Sequence, residues 1–339
     1  MQTFSTQFAR QNPQLAARKI FSLITSEMAL VEAEFERQAS SNIQVINYLG
    51  EYLRASGGKR VRPALLILSN YASGFNASAK NVIRLATVME MLHTATLVHD
   101  DIIDNADKRR NRSSVNARFG NQQAVLMGDW LYMSAFETSL QERSLEILDI
   151  LTRLTRKMTE GEIIQLTTLG RTDLSEIEYF DILQRKTAYL FSSCCEIGAI
   201  LGKAEKVQQS ALREYGMNLG KAFQLADDLL DFTAEEEVLG KAAGADLIEG
   251  KLTLPLILLV EKEPAVKKDL EIVMLEGNYR KVSRFALLEK LEKYNLLEET
   301  KLRAYGFAEK AIKNLEVLPK TEYRLTLEEI PTYMIERNK

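Results

Sequence analysis

Two clusters of aspartate are the residues of this sequence best suited to chemistry. Each cluster has the spacing Asp-Asp-x-x-Asp, and each ends a long apolar run. On a helix, positions i, i+3 and i+4 share one face, so each cluster would present three carboxylates to one side. The first cluster comprises Asp100, Asp101 and Asp104, and the second comprises Asp227, Asp228 and Asp231.

Carboxylates this close together repel one another, and partial burial would raise the cost of keeping them charged. The arrangement is reasonable if a divalent cation lies between them. An all-oxygen ligand set favours Mg²⁺, which keeps several waters and joins carboxylates to substrate phosphates. A single cluster of this kind is also typical of a solvated helix end. Two copies with the same apolar framing favour a magnesium site.

Basic residues that could hold phosphate accompany both clusters. Gly57 to Pro63 places cations and backbone N–H groups just before a helix, and helix N-termini and arginine forks suit phosphate oxygens. Any one of these residues is more often a solvated surface charge, but together they predict a Mg²⁺–diphosphate site. The candidates are Lys59, Arg62, Arg109, Arg110, Lys186 with Thr187, Lys241 and Lys251.

The two histidines, His93 and His99, belong to the run that ends in the first cluster. His93 lies seven residues before Asp100, which is close to two helical turns, so both should face the same way. A hydrogen-bonded core histidine is the alternative for His93. His99 lies off that face, and we expect a structural role for it.

The elements that must position these residues are helical. Glycine and proline number 17 and 6 of 339 residues. Together they make up roughly 7% of the chain, against about 12% in average usage, and this scarcity disfavours a turn-rich β fold. Apolar residues recur at helical spacing from residue 15 to about 52 and from 79 to 104, and another helix begins near Pro63. Residues 105–123 are predicted to form a loop. Further helical runs cover about 122–140, 144–168, 175–201, 205–232, 250–262, 266–275, 280–293 and 297–315.

The whole chain, residues 1–339, is expected to form one large all-α domain, with residues 1–14 as a loose tail and a less regular segment from Tyr323 to Lys339. The net charge of −3 disfavours general nucleic-acid binding. The longest apolar run, Leu254 to Val260, is too short to span a membrane. The adjacent Cys194 and Cys195 provide neither a disulfide framework nor a metal spacing, so we expect a reduced, cytoplasmic protein.

The motifs, in their order along the chain, resemble those of trans-isoprenyl (polyprenyl) diphosphate synthases over roughly residues 20–339. The similar segments are Gly57–Pro63, Leu97–Asp104, Arg109-Arg110, Gly128-Asp129, Lys186-Thr187, Phe223–Asp231, Gly240-Lys241 and Asp246–Lys251. The resemblance implies a helical bundle around a central cavity, usually dimeric. It also implies head-to-tail condensation of isopentenyl diphosphate onto an allylic diphosphate.

By the same resemblance, the six clustered aspartates would bind about three Mg²⁺ ions per active site together with the allylic diphosphate. Lys186, Gln224 and Arg109 are the candidate catalytic residues. The allylic diphosphate would be held by Arg109, Lys186, Thr187, Gln224, Lys241 and Lys251. Isopentenyl diphosphate would be held by Lys59, Arg62, His93 and Arg110.

The sequence departs from the family pattern in one segment. The usual Gly-x-Pro after the two arginines is replaced by Asn111 and Ser113 at its first and last positions. Asparagine tolerates a left-handed turn, so we expect a shifted loop and not a lost site.

Product length in the family often depends on the residue five before the first cluster, which is Ala95 here. Ala95, Leu92 and Val88 fall on one helical stripe, and none is aromatic. An open tunnel beneath the allylic site is one interpretation, and ordinary helix packing is the other. The segment His93–His99 also resembles the medium- and long-chain branch that includes octaprenyl diphosphate synthases. We therefore expect a C30–C50 product, such as a quinone side chain.

A C20 product is the nearest alternative, since Tyr132 or Phe136 could form a floor for the tunnel. A non-catalytic subunit of a heteromeric synthase would be expected to lack aspartates or phosphate-binding cations, and all are present. A class I terpene cyclase would usually replace the second aspartate cluster with a mixed motif. Two intact clusters therefore favour a catalytic prenyltransferase, expected as a homodimer.

Overall fold

A computed structural model describes residues 21–55, 57–74, 79–109, 112–233 and 244–336. Within these residues nearly all regular structure is helical, which confirms the predicted all-α class. The α-helices are α1 Thr25–Gln38, α2 Gln44–Ala55, α3 Val61–Ala72, α4 Ala79–Ile103, α5 Val115–Phe119, α6 Asn121–Leu140, α7 Leu145–Thr168, α8 Glu176–Leu183, α9 Tyr189–Leu201, α10 Lys206–Thr233, α11 Ala245–Ile248, α12 Leu254–Lys262, α13 Lys267–Glu276, α14 Arg284–Lys293, α15 Leu296–Asn314 and α16 Glu322–Glu336.

Shorter elements complete the described chain. Two antiparallel two-residue strands, β1 Lys108–Arg109 and β2 Arg112–Ser113, form a hairpin. A π-helical turn, Gln184–Ala188, joins α8 to α9 without a break, and 3₁₀ turns occupy Pro264–Val266 and Leu315–Val317.

Serine side chains cap the start of several helices. Ser114, Ser144 and Ser175 each accept a hydrogen bond from a backbone N–H of the first turn. Ser175 and Glu178 form a complete capping box, with both reciprocal bonds present. Such caps satisfy donors that the helix itself leaves unbonded, and each typically contributes about 1 kcal/mol.

The two longest helices, α4 and α10, carry the aspartate clusters at their C-terminal ends. Helix α4 is buried on nearly every side because it packs against α1, α3 and α6, as expected for a helix that is apolar all round. Helix α10 packs against α9 and α15. It contributes Leu219 to one hydrophobic core cluster and Leu225 to a second, so the two clusters share this helix.

Three segments differ from the expectations of the sequence. The apolar run before residue 52 is divided between α1 and α2, where the Asn47 side chain bonds both backbone groups of Ser41. The loop expected at 105–123 contains the hairpin and α5, and helix α12 begins at Leu254, later than the expected 250. The end of the chain is helical as α16, which includes Pro331. The tail at residues 1–14 lies outside the described residues.

In the described part of the chain, no helix combines the length and the apolar character needed to cross a bilayer.

Candidate active site

A cavity of about 590 Å³ lies between the ends of α4 and α10 and is walled by α7 and α8. It brings together most of the residues singled out from the sequence. The predicted residues that line it are Arg62, His93, Asp100, Arg109, Lys186, Thr187, Gln224, Asp227, Asp228 and Lys251. His99, expected to be structural, also borders the cavity, and its ring contacts the Val125 carbonyl oxygen at 3.2 Å.

The first aspartate cluster divides into three environments. Asp100 lines the cavity, whereas Asp101 is buried at 3% exposure and accepts a 2.7 Å bond from Arg109. Asp104 lies just past the end of α4, where its carboxylate pairs with Lys251 Nζ at 3.1 Å. The three carboxylates therefore share a helix end, as predicted, but each has a different counterpart.

The second cluster has a comparable division. Asp227 and Asp228 line the cavity. Asp228 is held from both sides, because Tyr179 OH donates to its Oδ2 and Gln224 Nε2 donates to its Oδ1 at 2.9 Å. Asp231 is buried behind the cavity, where its Oδ2 accepts from the backbone N–H of Asp246.

Burial makes this group of acids electrostatically unusual. It raises the pKa of Asp100 to about 7, and the nearby charge of Glu162 adds to the rise. Burial likewise raises the pKa of Asp228 to about 7, with a further contribution from Asp246. Burial by itself lowers the pKa of Lys251, but Asp104 and Glu249 hold it above its usual range. A cavity that disfavours carboxylate charge in this way is well suited to receive cations.

The π-helical turn positions Lys186 and Thr187. An extra residue in one helical turn interrupts the α-helical hydrogen-bond pattern, and such bulges are frequent at functional sites. Thr187 donates to Gln224 Oε1 at 2.9 Å, and Lys186 Nζ contacts both Gln165 Oε1 and Glu162 Oε1. These bonds direct both side chains toward the cavity wall formed by α7 and α10.

The segment that precedes α3 is fixed by Arg60. This residue has a left-handed backbone, with φ of 48°, and its guanidinium bonds Glu90 on α4 and Glu32 on α1. Arg62 and His93 line the cavity, whereas Lys59 is exposed and does not line it. Arg110 and Lys241, two further predicted phosphate contacts, lie outside the described residues.

The predicted chain-length stripe is fully buried. Ala95, Leu92 and Val88 are each 0% exposed and do not line the cavity, whose α4 wall includes Thr96 and Leu97 instead. The possible floor residues differ, because both Tyr132 and Phe136 pack on the core but only Tyr132 also lines the cavity.

The cavity residues that sequence reasoning did not assign include Glu162, Gln165, Tyr179 and Asp246. The available signal for Glu162 and Gln165 is their i, i+3 spacing, which places both on one face of a helix. Asp246 belongs to a motif that we noted without assigning it a role. Tyr179 gave no signal, since a buried tyrosine on an apolar face is ordinary core packing until its partner Asp228 is known.

The departure from the family pattern after Arg109 leaves that arginine in the site. Ser113 pairs with Lys108 in the hairpin, and Arg109 still bonds Asp101. Asn111 lies outside the described residues.

Comparison with known proteins gives a consistent result. Residues 43–293 match the Polyprenyl synthetase family. The chain is 38% identical to the octaprenyl diphosphate synthase of Escherichia coli (strain K12), over 95% of this chain and 99% of that protein. It is also 38% identical to the geranylgeranyl diphosphate synthase of Methanosarcina mazei, over 84% and 88% of the two chains. A crystal structure of a polyprenyl synthase from Caulobacter crescentus CB15, complexed with calcium and isoprenyl diphosphate, superposes with a TM-score of 0.90 at 35% identity, covering 95% of this chain and 98% of that one.

Proposed function

The chain belongs to the polyprenyl synthetase family and is a prenyltransferase, and from that premise we propose the reaction and the residues that serve it. Isopentenyl diphosphate is condensed head-to-tail onto an allylic diphosphate, giving an all-trans polyprenyl diphosphate. The chain acts as a single catalytic domain in this proposal, because helix α10 contributes residues to both hydrophobic core clusters.

The observation that carries this proposal is the distribution of charge around one cavity. Asp100 and Asp227 enter it from the ends of two long helices. Arg109 and Lys186 supply cations at the same wall, which suits a diphosphate bridged to metal ions. The remaining wall is largely apolar and includes Leu97, Leu183, Leu190 and Phe223. A charged end joined to an apolar wall matches an isoprenoid diphosphate.

Mg²⁺ fits the donors that the cavity presents. Asp100, Asp227 and Asp228 offer carboxylate oxygens, which are hard ligands. Among the residues that the structure describes, no three Asp, Glu, His or Cys side chains lie close enough to hold an ion unaided. Water and substrate phosphate would therefore complete the shell, as is usual for this ion. When bound, Mg²⁺ would stabilise negative charge on the departing diphosphate.

The chain's own cations hold the substrates in this proposal. Arg109, Lys186 and Lys251 bind the allylic diphosphate, and the hydrogen-bonded Thr187 and Gln224 position it. Arg62 and His93 bind isopentenyl diphosphate on the α3 side of the cavity, with Lys59 at its exposed edge. We also propose that Arg110 binds isopentenyl diphosphate and that Lys241 binds the allylic diphosphate.

The reaction needs no strong side-chain base. The allylic C–O bond breaks and its electron pair leaves with the diphosphate. The isopentenyl double bond then forms the new C–C bond, and the departing diphosphate takes the proton that restores a double bond. Lys186 and Arg109 stabilise the charge that develops on the leaving group. The apolar wall excludes water, which would otherwise capture the allylic cation.

We propose a C30–C50 product. The stripe of Ala95, Leu92 and Val88 contains no aromatic side chain, although its residues are buried in the helix packing and do not line the cavity. The octaprenyl relative also matches more of this chain than the geranylgeranyl relative does. A C20 stop would place the floor at Tyr132, which lines the cavity.

A homodimer is proposed from the exposed face of α6. Leu126, Met133 and Leu140 recur every seven residues and are 67%, 63% and 50% exposed. An apolar stripe of this kind on a long helix favours association with its copy across a two-fold axis.

The test is a product assay. Purified protein with Mg²⁺, farnesyl diphosphate and excess labelled isopentenyl diphosphate should yield a discrete product of C30–C50. A C20 product would keep the reaction and overturn the proposed length. The absence of any product with geranyl, farnesyl or geranylgeranyl diphosphate would contradict the proposed reaction.

A further inference from the structure

We propose that Tyr52 is a positioning residue that holds the arginine hairpin, defined as strands Lys108–Arg109 and Arg112–Ser113, against the cavity. The role of the hairpin in catalysis rests on the function proposed above. The contact between Tyr52 and the hairpin is independent of that function.

The arginine hairpin has little means of holding its own shape. Each strand is two residues long, and an isolated two-stranded hairpin is at best marginally stable in water. Residues 107–114 contain neither proline nor glycine. Yet Arg109 makes a defined 2.7 Å bond to the buried Asp101. Part of the restraint is local, because the Ser114 backbone N–H donates to the Asp107 carbonyl at 2.9 Å and the Ser114 hydroxyl donates to the Ala106 carbonyl.

Tyr52, on helix α2, adds a restraint from outside the segment. Its hydroxyl donates a 2.6 Å hydrogen bond to the backbone carbonyl of Ser113. Its ring contacts the guanidinium of Arg112, whose carbon lies 4.7 Å from the ring centre. A second guanidinium, that of Arg118 on α5, lies at the same distance from the ring. Tyr52 is only 7% exposed, whereas its partners Ser113 and Arg118 are exposed.

The position of Tyr52 joins two cation-bearing segments. Helix α2 ends at Ala55 and leads directly into the segment that contains Lys59 and Arg62. Arg60 ties that segment to Glu90 on α4, three residues before His93. Tyr52 ties the start of the same segment to the hairpin. Tyr52 and Arg60 together thus fix the spacing between Arg109 and the cations that precede α3.

The test compares Tyr52→Phe with Tyr48→Phe. Tyr48 lies one turn earlier on α2 and packs on the same Phe119 ring, but its hydroxyl accepts from Arg118 instead of donating to the hairpin. Removing the Tyr52 hydroxyl should raise the KM for the allylic diphosphate about fivefold, the size expected for one lost hydrogen bond. Tm and kcat should remain near the wild-type values. Backbone amides of residues 106–119 should exchange with deuterium faster in Tyr52→Phe alone.

Each outcome bears on the inference. If Tyr52→Phe matches Tyr48→Phe in KM and in amide exchange, Tyr52 does not hold the hairpin. A lowered Tm with an unchanged KM would show a purely structural residue and would also overturn the inference. If the wild-type protein transfers no prenyl group, the proposed function fails, and the exchange comparison alone decides whether Tyr52 restrains the hairpin.

Discussion

At the scale of single residues, the aspartates of the cavity differ in how firmly hydrogen bonds hold their carboxylates. Asp228 is fixed by Tyr179 and Gln224, whereas Asp227 and Asp100 face the cavity. We expect Asp100→Ala and Asp227→Ala each to reduce turnover to roughly 1% or less, because each removes a ligand for the ions that stabilise the leaving group. Helical content, measured by circular dichroism, should not change. The exposed Asp149→Ala is the control, and near-normal activity of either cavity variant would contradict the metal assignment.

Proton and metal should compete for the same carboxylates. The pKa of Asp100 and that of Asp228 are raised to about 7 by burial, so these groups lose their protons only near neutral pH. Their ionisation in the folded protein costs stability as pH rises from about 4 to about 7. Added Mg²⁺ should therefore raise Tm more at pH 8 than at pH 6. Differential scanning fluorimetry measures both shifts, and equal shifts would argue against ion binding at these two residues.

The sequence predicts a site residue when the pattern that identifies it lies within a few neighbouring positions. The aspartate clusters and Lys186-Thr187 can be identified from residue type and spacing within a few positions. Tyr179 acquires its role from a partner 49 positions away, Asp228. Glu162 acquires its role from Lys186 across the contact of α7 with the π-helical turn. Long-range packing creates these pairs, and one sequence carries no direct record of it.

At the scale of elements, the helices were largely predictable and their ends were not. Runs such as 144–168 match α7 closely because an apolar stripe persists along the helix. The break between α1 and α2 depends on the Asn47 side chain bonding Ser41, a feature that periodicity does not report. Helix α16 contains Pro331, which disguised it in the sequence.

Helix packing around α10 depends on a glycine. A Cβ on Gly216 would lie within 2.7 Å of the Ser192 Cα on α9, where backbone must move to relieve the overlap. Gly216→Ala should destabilise the fold by about 1–3 kcal/mol, measured by urea denaturation. Gly306→Ala on α15 is the matched control, because nothing lies within 4 Å of its Cβ. That control should be neutral or stabilise the protein by up to about 1 kcal/mol, and equal losses in both variants would refute the packing argument.

At the scale of the whole molecule, the exposed stripe on α6 predicts an assembly. Met133→Glu places a charge in the centre of the proposed two-fold contact and should shift the mass in solution from two chains to one chain of 38.4 kDa. Sedimentation velocity provides the measurement. Leu275→Glu on α13 changes a side chain that is 89% exposed and should leave the mass unaltered. An unchanged dimer in Met133→Glu would place the interface on another face.

The ion pair between Lys251 and Asp104 places an exchangeable positive charge beside the cavity. Lys251 lies in the segment before α12 and Asp104 follows α4, so the two ends of the site are bridged by the chain's own ammonium group. A divalent ion that bound at Asp104 would replace a positive charge that is already present, and Lys251 would then be available to the diphosphate that accompanies the ion. Metal and substrate would then enter through one exchange of ionic partners, with little change in the net charge beside the cavity.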